Sequence, residues 1–254
     1  MINFEKNYVN FLSYFFILIP IFLVTGPFLS DLGVSILAIS SIFLLREKKY
    51  FFNFFTIIFI VFYILILISS LFSEHKILAL TNSLFYFRFC LFSLLVWFLF
   101  EREILILKKI FYVLTFIFSL IIFDSIYQYL NGFNILNMEI IEEGRISSFF
   151  GDELKMGSFL MRLFPLFIAV SLFYYDEKKH KKILPLFFIF IIFIYFTVYL
   201  SGERTSFILF NFIILLLMIF IKNFTSFKLC FLFIFILTSF FLLSLNTPFK
   251  ERLI

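Results

Sequence analysis

Long apolar runs separated by short polar interruptions repeat along the whole chain. A helix needs about 20 mostly apolar residues, with a range of about 17–25, to cross the hydrocarbon layer of a bilayer. Nine segments meet or approach that length: approximately 8–25, 27–45, 51–72, 83–100, 110–130, 157–175, 183–200, 206–221 and 229–245. A transmembrane barrel would instead show alternating segments of about 10 residues. The pattern therefore predicts an all-α, polytopic transmembrane bundle. It forms a single transmembrane domain over 1–254, and its longest connection is the loop 131–156, which carries an amphipathic segment. Proline punctuates the runs. Pro27, Pro165 and Pro185 are read near the first turn of a span, where a missing N–H costs little, and Pro20 is expected to kink the first span. Five of the seven glycines (Gly132, Gly144, Gly151, Gly157, Gly202) lie between 131 and 202. That region is expected to hold the unusual backbone conformations.

Composition sharpens the class. The 254 residues are 63% hydrophobic with a mean hydropathy of +1.13, whereas soluble domains are about half apolar. The 48 phenylalanines read as the codon bias of an AT-rich genome in a lipid-facing protein, not as an aromatic ligand platform. The net charge of +5 does not imply a nucleic-acid partner, because the basic residues are divided among short connections and serve topology. Cys90 and Cys230 both lie inside apolar runs without ligand spacing, so neither disulfide nor zinc is expected.

With a cytoplasmic N-terminus, the inner connections carry Lys6, Arg46, Lys48, Lys49, Arg102, Lys108, Lys109, Lys178, Lys179, Lys181, Lys182, Lys222 and Lys228. The outer side carries Lys76, Arg88, Arg145, Lys155, Arg162, Arg204, Lys250 and Arg252. The excess of Lys and Arg on the first side supports this orientation. The outer arginines do nothing for topology, so another pressure places them there.

Those arginines are the candidate chemistry. The connection Ser201-Gly202-Glu203-Arg204-Thr205-Ser206 puts a Glu-Arg pair between two apolar runs, and the loop 131–156 adds Glu142, Glu143, Arg145, Asp152, Glu153 and Lys155, with Arg162 just inside the next span. Arg88 lies a few residues into the fourth span, and Asp124 near the end of the fifth with Gln128 one turn later. A charge within a span is costly and calls for a partner or an aqueous cleft. Arg88 and Asp124 are expected either to pair or snorkel, or to line one outward-facing cavity with Arg204. No phosphate-binding glycine loop, metal motif or nucleophile–base arrangement is present, and no cofactor is expected. Arginine matches phosphate through a planar bidentate fork, so an outer arginine cluster in a membrane protein suits a lipid-linked diphosphate.

Four segments carry a family resemblance. They are Tyr127-Gln128-Tyr129-Leu130-Asn131-Gly132; Arg145-Ile146-Ser147-Ser148-Phe149-Phe150-Gly151-Asp152-Glu153; Gly157-Ser158-Phe159-Leu160 with Arg162 and Pro165; and Ser201-Gly202-Glu203-Arg204-Thr205. In order and in spacing relative to the spans they resemble the O-antigen ligase and O-antigen polymerase superfamily, over about residues 124–210. The resemblance implies a metal-independent, multi-pass glycosyltransferase of the bacterial inner membrane with a periplasmic active site. Its donor would be a glycan on undecaprenyl diphosphate, and its acceptor the lipid A core or another glycan. On that comparison Arg204, with Arg145, Arg162 and Arg88, would stabilise the departing diphosphate. Asp124 and Gln128 would line the same cleft, and Glu203, Asp152 and Glu153 are candidates for the general base. The family fold continues into a large periplasmic loop bearing a histidine, so this sequence is expected to be a C-terminally truncated piece of it.

Two other readings stay open at this point. A transporter or flippase for a lipid-linked glycan would favour charges near mid-membrane, whereas these cluster toward the outer third. The other is a truncated, non-catalytic membrane protein. The topology is directly testable. An alkaline phosphatase fusion at Thr205 is expected to be active and one at Lys179 inactive, and the reverse pattern would remove the diphosphate reading.

Overall fold

A computed structural model of the chain describes residues 2–45, 47–102, 105–174 and 184–220, with the isolated positions 229, 232, 233 and 236. The described residues are mostly helical, with no strand among them. In chain order the helices are α1 (Ile2–Ile17), α2 (Ile19–Thr25), α3 (Pro27–Leu44), α4 (Lys48–Phe51), α5 (Phe54–Leu71), α6 (Lys76–Leu84), α7 (Phe87–Arg102), α8 (Leu105–Asn131), α9 (Met156–Tyr174), α10 (Leu184–Leu200) and α11 (Arg204–Phe220). Six stretches are long and apolar enough to cross a membrane: Asn7–Thr25, Pro27–Leu44, Phe54–Leu71, Lys76–Arg102, Ile106–Asn131 and Met156–Phe173. Helices α10 and α11 are also apolar, with 17 described residues each. The ninth predicted span, the basic cluster at 178–182, Cys230 and the C-terminal tail lie outside the described residues, apart from the isolated positions above.

Local chemistry accounts for most element boundaries. The first span breaks at Leu18, ahead of Pro20, which is the second residue of α2. Pro27 opens α3 after Gly26, and Asn53 caps α5 by accepting from Thr56 N at 2.9 Å. Two boundaries differ from expectation. The fourth span begins earlier, at Lys76, and turns at Phe85 and Tyr86 before α7. Pro165 lies inside α9 and not in its first turn. There its ring deletes one helix N–H, a loss that tertiary packing of α9 must offset. The loop after α8 holds an isolated bridge, Phe133 to Glu139, and a 3-10 turn over Ser148–Phe150. Phe133, Ile135, Leu136 and Ile141 are exposed on it.

The chain divides into two compact units, Met1–Ile110 and Phe111–Ile254, with the boundary inside α8. In the first unit α3 packs along α7, and α5 presents large apolar side chains along its length. Lipid tails are as apolar as leucine, so apolar burial contributes little to helix association in a bilayer, and polar contacts and close packing carry it. Two polar nodes serve this unit. Arg88 on α7 forks onto both carboxylate oxygens of Asp31 on α3, at 2.6 and 2.8 Å, and donates to Ser35 Oγ at 3.1 Å. At the other end of α7, Glu101 accepts from Lys49 Nζ at 2.8 Å, Tyr50 OH at 2.6 Å and Trp97 Nε1 at 2.9 Å. Hydrogen bonding to Glu101 holds the Lys49 ammonium above the usual lysine range. Burial, then the same carboxylate, pushes the Tyr50 phenol up. Lys49, read from sequence as a topology anchor, thus also ties α4 to α7.

In the second unit α9 packs against α10 and α11 around Phe164, Phe167, Ile191, Tyr195 and Phe210. The Phe164 and Phe210 rings approach to 4.5 Å between centroids. The Arg88–Asp31 pair gives a measurable expectation for the first unit. Asp31→Ala and Arg88→Met should each lower the unfolding midpoint in detergent. The double variant should lose less than the sum of the two by about 1 kcal/mol, and strict additivity would show that the pair carries no coupling.

Candidate functional site

The site assembles at the end of the second unit where α9 and α11 begin and α10 finishes. The chain leaves α10 at Leu200 through a two-residue turn, Ser201 and Gly202, and re-enters helix at Arg204. Gly202 has φ +63°, the left-handed region that costs other residues ~1–2 kcal/mol. A Cβ there would also lie 2.3 Å from the carbonyl oxygen of Gly144 and 2.9 Å from Arg145 Cγ. Only glycine lets the turn and the loop after α8 touch. Their contact is fixed by Ile146 N donating to Leu200 O at 3.0 Å.

Glu203 sits just before α11, its carbonyl accepting the first helical N–H, from Phe207, at 3.0 Å. Its side chain reaches across to the start of α9. Oε1 accepts from Gly157 N at 2.8 Å, and Oε2 accepts from Ser158 N at 3.1 Å, Ser158 Oγ at 2.6 Å and Ser206 Oγ at 2.6 Å. The first N–H groups of a helix have no intrahelical acceptor, and here a carboxylate from a distant turn supplies one. Gly157 makes this possible. A Cβ at that position would stand 2.3 Å from Ser201 Oγ and 3.1 Å from Glu203 Oε1.

A cavity of about 460 Å³ opens beside this junction, lined by Arg145, Leu154, Ser158, Gly202, Glu203, Arg204, Thr205 and Ser206. Arg204 is exposed at its rim. Arg145 is held from behind: Nη1 lies 3.4 Å from Glu142 Oε2, and Nη2 donates to Leu154 O at 3.2 Å. Its Nε is buried with no hydrogen-bond partner among the described residues, as is Nε of Arg88 in the first unit. Among the described residues no three His, Cys, Asp or Glu side chains converge as a metal-ligand set.

A second buried network secures the loop that carries Arg145. Asp124 on α8 is fully buried. Its Oδ1 accepts from Ile135 N at 2.9 Å and its Oδ2 from Ser148 Oγ at 2.5 Å. One turn on, Gln128 Oε1 accepts from Ser148 N at 2.8 Å, and Asn134 Nδ2 donates to Ser148 O at 2.9 Å. Ser148 has φ +51°, a conformation these partners stabilise.

Of the residues picked out from sequence, the structure brings Arg145, Glu203 and Arg204 to one cavity. Asp124 and Gln128 do not line it. They are buried beneath the loop, because loop donors and not solvent satisfy them. Asp152 and Glu153 are exposed on the loop outside the cavity, with Glu153 paired to Lys155 at 3.0 Å. Arg162 is exposed on α9 and also outside the cavity lining. Arg88 belongs to the first unit and pairs with Asp31, not with Asp124. Ser158, Thr205, Ser206, Ser148, Asn134 and Asp31 escape a sequence reading. For Asp31 a signal existed, an acidic residue five positions into an apolar helix. The serines are too common in this chain to stand out. No family model matches the chain, and no curated protein or solved structure shows detectable similarity to it.

The buried network predicts that Asp124→Asn is mild. The amide oxygen can accept from Ile135 N and the amide nitrogen can donate to Ser148 Oγ. Asp124→Leu leaves both groups without a partner, at about 1–3 kcal/mol for each buried group. Thermal unfolding in detergent should therefore place the Asn variant close to wild type and the Leu variant well below it. Equal losses would mean that the charge itself is required.

Proposed function

We propose that the chain is a glycosyltransferase of bacterial surface-polysaccharide assembly, resembling O-antigen ligases and polymerases, that uses a glycan carried on undecaprenyl diphosphate at the periplasmic face of the inner membrane. The observation that carries this reading is the convergence of Arg145 and Arg204 on one hydroxyl-lined cavity at the ends of apolar helices. The polyprenyl tail would stay in lipid while the diphosphate enters between the two guanidinium groups.

In the proposed reaction an acceptor hydroxyl oxygen forms a bond to the anomeric carbon as the bond from that carbon to the diphosphate oxygen breaks. The bonding electrons leave with the diphosphate, and the transition state resembles the oxocarbenium ion of glycoside hydrolysis. Positive groups placed where this charge develops lower the barrier electrostatically. Arg145 suits that work because its guanidinium, braced by Glu142 and the Leu154 carbonyl, belongs to a side chain that lines the cavity. Thr205 adds a hydroxyl donor, while the Ser158 and Ser206 hydroxyls line the same cavity with their hydrogens given to Glu203. The acceptor's proton goes to a general base within hydrogen-bond reach, for which Asp152 and Glu153 on the neighbouring loop are the candidates.

Loss of one such charged donor costs on the order of 10²–10³ in rate. Arg204→Ala and Arg145→Ala, expressed at wild-type levels in a strain lacking the gene, should each abolish transfer of glycan from the lipid carrier, read on gels of surface polysaccharide. Lipid-linked donor should accumulate. Normal polysaccharide in both variants would overturn the assignment.

A further inference from the structure

We infer that Glu203 is a positioning residue that holds Arg204 at the cavity by tying the α10–α11 turn to the start of α9, and that it is not the proton acceptor of the reaction. This rests on the reading of the cavity as a diphosphate site.

The hydrogen-bond inventory of the carboxylate argues first. A carboxylate offers about four lone-pair sites, and Glu203 receives four donors: Gly157 N, Ser158 N, Ser158 Oγ and Ser206 Oγ. Three of the four fall on Oε2. A general base needs a lone pair within reach of the hydroxyl it deprotonates; Oε2 has none left to offer, and Oε1 is turned to the Gly157 amide at the start of α9. Three of the donors come from other segments' backbone or hydroxyl groups and the fourth from α11 itself, so the contacts join two helices instead of facing a ligand.

Packing argues second. Gly157 brings the α9 backbone against Ser201 and Glu203, at distances a Cβ would not permit. Gly202 brings the same turn against Gly144 and Arg145. The turn is thus clamped on both sides, by α9 through Glu203 and by the loop through Gly202. Arg204, the next residue and the first of α11, inherits that fixed backbone. Arg145 is set by the other side of the same clamp, so one junction sets the placement of both cationic side chains.

The two roles predict opposite signs. A carboxylate beside a diphosphate repels it, so neutralising Glu203 would tighten anion binding if its charge were all that mattered. Loss of positioning weakens binding instead. The test is equilibrium binding of labelled inorganic pyrophosphate to the full chain in lipid nanodiscs. Glu203→Gln, which presents an amide N–H₂ to donors, should bind about tenfold more weakly than wild type. Glu203→Asp keeps the charge but shortens the reach, and should weaken binding as well. Ser158→Ala should weaken it in the same direction, whereas Ser158→Thr, which retains the hydroxyl, should restore it. If the Glu203 variants do not fold, Ser158→Ala and Ser206→Ala decide, since each deletes one donor and leaves the carboxylate in place.

Pyrophosphate binding that is lost in Arg204→Ala but unchanged or tighter in the Glu203 and serine variants would overturn this inference and leave the site standing. A wild-type chain that fails to bind pyrophosphate, or an Arg204→Ala variant that binds like wild type, would remove the diphosphate reading and this inference with it.

Discussion

A helix that begins at a membrane surface starts with N–H groups that no residue of its own can accept, and the hydrocarbon next to it offers no water to help. In this protein the acceptor for α9 is the carboxylate of Glu203, delivered from the turn between α10 and α11. The arrangement of the second unit follows from that contact. It brings the turn onto α9, where Gly157 lets the Ser201 and Glu203 side chains approach the α9 backbone, while Gly202 lets the turn meet the loop that follows α8 at Gly144, and a cavity opens beside this junction.

The rest of the structure repeats the device at a few other points. Asp124 gathers a loop amide and a loop hydroxyl beneath the chain that carries Arg145. Arg88 and Asp31 join α3 to α7, and Glu101 joins α7 to α4. Between these nodes the helices are clothed in Phe, Ile and Leu. Many of those side chains are exposed, as suits surfaces that meet lipid. Apolar surface is interchangeable in such a setting and specifies few contacts. A handful of polar nodes therefore does most to decide which helices meet and at what height.

The same logic separates charged residues by role. Asp124, Glu101 and Asp31 have their oxygens engaged within the protein. Arg145 lines the cavity, braced by Glu142 and the Leu154 carbonyl, and Arg204 stands exposed at the edge of the same cavity. Without that distinction all of these residues read alike, as costly charges in an apolar chain. With it, the two cations that line the cavity stand apart from carboxylates that join helix to helix or helix to loop elsewhere. The convergence of Arg145 and Arg204 on that cavity is the basis for proposing an anionic, lipid-borne substrate.

Helix placement was legible in the sequence because it depends on local properties: run length, hydropathy and the conformational limits of proline and glycine. The break ahead of Pro20, the start of α3 at Pro27 and the positive φ of Gly132, Gly144, Gly151 and Gly202 all follow from residue type and immediate neighbours. Polar positions in and between the apolar runs marked Arg145, Glu203 and Arg204 as candidates, but equally Arg88, Arg162, Asp124, Gln128, Asp152 and Glu153, which do not line the cavity. The partners were not legible. Nothing near Glu203 in sequence marks Gly157 and Ser158 as its donors, nothing near Asp124 marks Ser148, and nothing near Arg88 marks Asp31. A hydrogen bond between residues dozens of positions apart depends on where whole helices come to rest. Residue type determined that these charges needed partners, and tertiary packing decided which partners they found and which side chains came to line one cavity, because those contacts form only where whole helices come to rest.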